Sequence, residues 1–104
     1  MKIHLIKEKT IRNFVIQYSD SLASFEDWIT KTKLANWQTP KDINSTFSTA
    51  DILGNSSSRV VFNIAGNKYR LVVEMQYRAG IVWVKFVGTH AQYDQINVES
   101  VNEY

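Results

Sequence analysis

Apolar and polar positions alternate through the last third of the chain, over residues 59–64, 68–75 and 81–87. Period-2 alternation is the mark of β-strands, whose successive side chains point to opposite faces. Sorted by parity, one face carries Val60, Phe62 and Ile64, then Tyr69, Leu71 and Val73, then Val82, Val84 and Phe86. The other carries Arg59 and Asn63, Lys68 and Arg70, Trp83 and Lys85. The links Ala65-Gly66-Asn67 and Tyr77-Arg78-Ala79-Gly80 are short and contain glycine, so the three strands are expected to be antiparallel neighbours.

The first half has a different period. Residues 1–6 read as a short strand with Ile3 and Leu5 on one face. Ile11, Phe14, Val15 and Tyr18 fall at i, i+3, i+4 and i+7, which predicts a helix over residues 9–18 with Thr10 as its cap. Ser19-Asp20-Ser21 is a polar break and a second capping candidate. A longer helix is expected to follow to about Trp37, burying Leu22, Phe25, Trp28, Ile29 and Thr32. Pro40 ends it. Thr39 before Pro40 reads as a cap with proline at the first helical position, opening a short turn through Phe47. Residues 50–58 read as loop, and the Gly54–Ser58 run as its flexible part. The expected fold class is α+β, a mainly antiparallel sheet with two N-terminal helices packed on one face. The opposite face is expected to stay open.

A chain of 104 residues corresponds to one domain, here residues 1–104. No apolar run approaches the roughly 20 residues that span a membrane. The start, Met1 to Lys9, is too short and too charged for a signal peptide. A cytoplasmic protein without membrane contact is expected. With no cysteine, disulfides and thiolate metal sites are excluded. His4 and His90 lack metal-ligand spacing, so neither a metal nor another cofactor is expected. The net charge of +2 says little, but its distribution says more. From residue 59 to 93 stand Arg59, Lys68, Arg70, Arg78 and Lys85 against Glu74 alone, while the tail adds Asp94, Glu99 and Glu103. Concentrated cations on one sheet face attract phosphate backbones more than the net value suggests.

The plain alternative is a polar, solubilising face. Against it stand the clustering and His90, which follows the third strand. An imidazole can give or take a proton near neutrality. Arginine offers phosphate a planar fork and lysine a point charge. Tyr93 is placed to stack on a splayed base, whereas Tyr69 has the inward parity of a core residue. His90 also has a structural reading, as a loop residue capping a helix that begins near Ala91. There is no glycine-rich phosphate loop, paired carboxylate or Ser-His-acid pattern.

Several runs, in order, carry a family resemblance: Ala35-Asn-Trp-Gln-Thr-Pro40, Ala50-Asp-Ile-Leu53, Arg59-Val-Val-Phe-Asn-Ile64, Gly66-Asn-Lys-Tyr-Arg-Leu-Val-Val73 and Gly88-Thr-His-Ala-Gln-Tyr-Asp94. Over roughly residues 9–94 the chain resembles the HigB-type toxins of type II toxin–antitoxin modules, with serines 56–58 as a small insertion. The resemblance implies a RelE-like fold and an mRNA interferase, an endoribonuclease that cuts mRNA, in many cases on the translating ribosome. It implies a HigA-type helix-turn-helix antitoxin, through which the complex binds operator DNA. The positions matching the family's polar motif are Arg59, Asn63, Lys68, Arg70, Lys85, His90 and Tyr93. Lys68, Arg70 and His90 are the expected catalytic group, and Arg59, Asn63, Lys85 and Tyr93 the expected RNA-binding group. Two other readings remain: a ParE-like gyrase poison, and an RNA-binding module without catalysis.

Overall fold

A computed structural model describes residues 3–54 and 57–102. The elements are β1 (His4–Ile6), α1 (Glu8–Gln17), a 3-10 turn (Ser19–Ser21), α2 (Leu22–Leu34), α3 (Pro40–Thr46), β2 (Asp51–Ile52), β3 (Arg59–Ile64), β4 (Tyr69–Gln76), β5 (Ile81–Thr89) and the single turn α4 (His90–Tyr93). They form an α+β fold around one five-stranded sheet of order β1-β5-β4-β3-β2. All pairings are antiparallel except that of β1, which lies parallel to β5 on the far edge. Among the described residues, no helix is long and apolar enough to cross a membrane.

The helical layer follows from the spacing of its apolar residues. Ile11 is fully buried, and Phe14, Val15 and Tyr18 pack beside it. Phe25, Trp28, Ile29 and Thr32 turn inward from α2, one helical face apart. Leu22 does not. It opens α2 on the outer side and is 46% exposed. Thr10 lies inside α1, which starts at Glu8, one residue earlier than its sequence suggests, after Lys7 in a left-handed conformation. The two helices are tied at the surface by Glu8, which meets Arg12 at 3.0 Å and Lys33 at 2.8 Å, and by the Arg12–Glu26 pair. Lys33 and Arg12 hold the Glu8 carboxyl below its ordinary range, against the opposing effect of burial. Pro40 does open α3, where the Asp42 carboxylate accepts the Gln38 and Thr39 N–H groups at 2.9 and 3.0 Å. The loop expected over residues 50–58 contains the two-residue β2, paired with Val60 and Val61. Asn55 and Ser56 of the expected flexible run lie outside the described residues.

The sheet departs from strict alternation at one point. Val73 faces Val84 across the β4–β5 ladder, but its neighbour Val72 faces Phe86. Lys85 is therefore the extra residue of a β-bulge, and parity changes there. Phe86 leaves the helical side and joins Val61, Val72 and Val101 in a second apolar cluster, with Leu53, Tyr93, Ile96 and Val98 packed around it. This corrects two expectations. Phe86 is not part of the main core, and the sheet's second face is not open, because α4 and the C-terminal residues fold back over it.

The β3–β4 turn requires left-handed backbone at two successive residues, Ala65 (φ 54°) and Gly66 (φ 67°). Glycine accepts this at no steric cost, whereas alanine carries a penalty of about 1–2 kcal/mol. Relieving it with Ala65→Gly returns about 0.4–1 kcal/mol of that gain as freedom of the unfolded chain. A net stabilisation of about 0.5–1 kcal/mol is expected, read as a higher urea midpoint with an unchanged m-value.

Candidate active site at the end of the sheet

The start of β4 and the end of β5 meet at one end of the sheet, where Tyr69 pairs with Thr89 and Arg70 with Gly88. Gly88 is needed for close approach. A Cβ there would sit 2.5 Å from the Phe86 ring and 2.9 Å from Gln92 Oε1. That Gln92 oxygen accepts the Thr89 N–H at 2.8 Å, while Thr89 Oγ1 accepts the Gln92 N–H at 3.1 Å. Thr89, not His90, is thus the cap of α4, and His90 is its first residue. The His90 main-chain N–H donates to the Lys68 carbonyl at 3.0 Å, which ties the start of α4 to the start of β4.

The His90 ring is half-exposed, and its Nδ1 lies 3.1 Å from Asp94 Oδ2, one helical turn on. That contact directs Nε2, on the opposite side of the ring, away from the carboxylate. Arg70 lies on the sheet's second face. Its guanidinium is 5.7 Å from the centre of the Tyr93 ring and donates to the Asn67 carbonyl at 3.0 Å. Asn63 stands opposite Arg70 in the ladder. Burial, aided by Asp51 and Asp94 against the opposing pull of Arg70, raises the Tyr93 phenol above its ordinary range. It is therefore a neutral hydroxyl at neutral pH.

Lys68 turns to the other side. Its Nζ lies 2.7 Å from Asp20 Oδ2 on the 3-10 turn, and the same carboxylate accepts the Tyr69 hydroxyl at 2.5 Å. The hydrogen bond to Lys68, then that to Tyr69, lowers the Asp20 carboxyl below its ordinary range. Asp20 in turn raises the ammonium of Lys68 and the phenol of Tyr69. Lys68 is firmly cationic at neutral pH, so its chemical capacity is charge stabilisation and not proton abstraction.

Arg59 and Lys85 do not join this end. Each is only 7% exposed. Arg59 Nη1 donates to the Val101 carbonyl at 2.6 Å, and Lys85 Nζ lies 3.0 Å from Asn102 Oδ1 and 4.0 Å from the centre of the Trp83 ring. The single cationic patch expected from parity therefore divides. Lys68, Arg70, His90, Tyr93 and Asn63 lie at or beside the end of the sheet, with Lys68 and Arg70 leaning to opposite sides, while Arg59 and Lys85 are covered. The bulge and the folded-back tail are the physical cause. Tyr69 is core, as its parity indicates. Sequence reasoning missed Asp20 and Asp94. Asp94 had a signal, a carboxylate four residues after a histidine on a helix. Asp20 had none, being 48 residues from Lys68.

On the helical side a cleft of about 380 Å³ is lined by residues including Ala23, Asp27, Trp28, Phe47 and Gly66, and of the candidate residues it touches only Asn63. Among the described residues, no three His, Asp or Glu side chains are grouped as a metal would need. Residues 21–96 match the model of the HigB_toxin family, described as the RelE-like toxic component of a toxin-antitoxin system. No curated protein matches the chain.

Asp20→Asn tests the Lys68 tie. A carboxyl lowered on folding contributes stability above its unfolded pKa and loses it as pH falls through the folded one. A raised lysine loses its share only as pH rises through its folded value. The variant should thus be less stable than the wild type at pH 7, and the two urea midpoints should converge in acid. The Tyr69 phenolate, followed by absorbance with Tyr69→Phe as reference, should form at lower pH in the variant.

Proposed function

Since the chain belongs to the HigB family, RelE-like toxic components of toxin–antitoxin systems, we propose that it arrests growth as a metal-independent endoribonuclease. Its substrate is mRNA in the cytoplasm, cut on the translating ribosome, and its antidote is a HigA-type helix-turn-helix antitoxin that carries the complex to operator DNA. The observation that carries this reading is the sheet end: an imidazole braced on one nitrogen by Asp94 (3.1 Å), on a turn whose main chain is tied to Lys68 and whose Tyr93 ring meets Arg70.

RNA cleavage without a metal has three demands. The 2′-hydroxyl must lose its proton as its oxygen bonds to the adjacent phosphorus. The charge growing on the phosphoryl oxygens must be offset. The 5′-oxygen must gain a proton as its bond to phosphorus breaks, leaving a 2′,3′-cyclic phosphate that water can open to a 3′-phosphate. His90 serves as general acid or base through Nε2, because Nδ1 is held by Asp94. Arg70 and Lys68 supply the positive charge. Lys68 must exchange Asp20 for the phosphate, which favours it as an electrostatic group. Tyr93, a neutral phenol, stacks on or hydrogen-bonds to the nucleotide beside the cut, and Asn63 contacts the RNA from the rung it shares with Arg70.

Ribosome dependence is supported by the state of three of the candidate cations. Lys68 is paired with Asp20, and Arg59 and Lys85 are covered. The free protein offers little surface to align a message, whereas a ribosome supplies alignment worth several kcal/mol. Ribosome-bound message should be cut much faster than the same message naked, and equal rates would remove this part of the reading.

Removing one preorganised charge contact costs about 2.7–4 kcal/mol of transition-state stabilisation, roughly 10²–10³ in rate. Arg70→Ala is expected to lose growth arrest while keeping the wild-type circular dichroism and urea midpoint. His90→Gln should likewise stop cleavage of ribosome-bound message, read by primer extension after induction. A folded Arg70→Ala protein that still arrests growth fully would leave Arg70 without a catalytic part. Damage signalling to DNA with message intact would point to gyrase, and bound but uncut RNA to a module without catalysis.

A further inference from the structure

Among the described residues, four buried side-chain polar atoms have no hydrogen-bond partner. Arg59 Nε and Trp83 Nε1 lie on one rung of the sheet, under the C-terminal residues. Trp28 Nε1 and Thr32 Oγ1 lie on α2, and of these residues only Trp28 borders the cleft on the helical side. That cleft is walled by α2 and by the last residues of β3 with the turn that follows. Its lining is apolar at Trp28, Phe47 and Ile64, and among the described residues its one charged side chain is Asp27. Lys31 meets Asp27 Oδ2 at 3.0 Å, and a carboxylate accepts at its second oxygen as well. The β3 wall is an unfinished sheet edge. β2 pairs only with Val60 and Val61. Leu53 donates its N–H to the Arg59 carbonyl at 3.0 Å, so the main-chain groups of Arg59, and of Val61 two residues on, face β2. By the same alternation the Asn63 N–H and C=O face outward on this edge, past Asp51 where β2 begins. The Asn63 side chain belongs to the opposite face with that of Arg70, so Asn63 borders the cleft with its main chain. Unpaired groups on a strand edge are a template for a further strand.

We propose that this cleft and edge form a docking site for an extended, basic segment of a partner protein. The segment adds a short strand beside Asn63, in line with β2. It sets one apolar side chain in the cleft and, two residues on and on the same face, a lysine or arginine at Asp27. Each part of the site matches one part of that partner. The Asn63 N–H and C=O take a main-chain carbonyl and N–H, the pairing by which extended peptides join sheet edges. The apolar walls take an aliphatic side chain, and the cleft, of about 380 Å³, has room for it and the peptide groups that carry it. The Trp28 N–H, buried and unmatched, takes an acceptor oxygen, which a peptide carbonyl supplies. Asp27 selects a cation and repels phosphate, so the site suits a protein segment and not RNA. Asp51, exposed at the start of β2, adds a second carboxylate beside the same edge. The site uses none of the side chains assigned to RNA and does not rest on the nuclease reading.

The test uses the full chain and two probes, the capped peptide acetyl-Thr-Lys-Thr-Leu-Thr-Lys-Thr-amide and its counterpart with glutamate in place of lysine. Binding is followed by the amide and indole N–H signals of the protein in NMR titrations. The lysine peptide should move the amides of Asn63, Ala65 and Gly66 and the Trp28 indole signal along one saturable curve, and slow hydrogen exchange of the Asn63 amide. The glutamate peptide should leave them in place. Methylating the main-chain nitrogens of the two threonines beside leucine removes the donors for Asn63 and should weaken binding by up to about tenfold. Asp27→Asn should weaken it by up to about fivefold. Ala23→Phe, at an exposed position on the cleft wall, should fill the cleft and abolish the shifts while keeping the wild-type urea midpoint. No saturable shift at Asn63 by about 1 mM lysine peptide overturns the proposal. An equal response to the glutamate peptide, or full binding by folded Ala23→Phe, overturns it as well. If Ala23→Phe does not fold, Asp27→Lys decides in its place: it should reverse the preference between the peptides, and an unchanged preference overturns the proposal. Shifts of the same signals by oligouridine, stronger in Asp27→Asn, would give the cleft to RNA. Shifts that grow with protein concentration alone, with a dimer in sedimentation, would give it to a second copy of the chain. Either result overturns the claim of a basic partner segment.

Discussion

Between Val84 and Phe86, β5 contains one residue more than β4 can match, and the use of both sheet faces depends on that insertion. Before it, Val82 and Val84 point into the helical core. After it, Val87 does so and Phe86 points away. Had alternation continued unbroken, the Phe86 ring would compete with the helices for space, and the second face would lose the ring on which Val61, Val72 and Val101 pack. The bulge also passes its shift to the end of the strand. It places Gly88 opposite Arg70 and Thr89 opposite Tyr69, so α4 starts where His90 meets the main chain of Lys68.

A small second core then gives the C-terminal residues a place to fold. Full burial of a valine is worth about 1.5–3 kcal/mol, so Val101, with half-buried Val98 and Ile96, can hold a short segment against the sheet. The same segment has to cover Arg59 and Lys85. An arginine taken out of water needs strong partners, and the carbonyls of Val98 and Val101 are weaker ones than a carboxylate or phosphate. Apolar packing and polar matching pull in different directions here. The result is a segment that is held in place while two donors beneath it go unsatisfied.

Most of the architecture was legible in the chain. The helical spacing of Ile11, Phe14, Val15 and Tyr18, the Thr39 cap with Pro40 opening α3, and the parity of β3 and β4 all describe local physics that the fold keeps. The bulge was not legible, because Val84-Lys85-Phe86 alternates perfectly by type and only the pairing with Val72 and Val73 shows which residue is extra. That one slip carried the error about the open face. The acidic tail after Tyr93 was visible as composition, but its return over the cationic strands is a long-range contact with no local signal. For the same reason Asp20 was invisible as a partner of Lys68, while His90 and Asp94, one turn apart, were within reach of a helical rule.

The resting partners at the sheet end bear on how such a site is controlled. Lys68 has Asp20, His90 has Asp94, and Arg70 has the face of Tyr93 and the Asn67 carbonyl. The two ion pairs lie at the edge of solvent, where such pairs are weak and exchangeable. They keep side chains ordered while lowering the field that would draw polyanions indiscriminately. On the proposed nuclease reading, a phosphate delivered beside Lys68 can outcompete Asp20, because this ion pair is exposed and exchangeable. Asp94 differs, since it contacts Nδ1 of His90, and on the same reading, in which Nε2 meets the substrate, it can stay throughout. On the proposed reading one carboxylate is therefore suited to yield and the other to remain, and substrate alignment, not net attraction, is the step that commits the site.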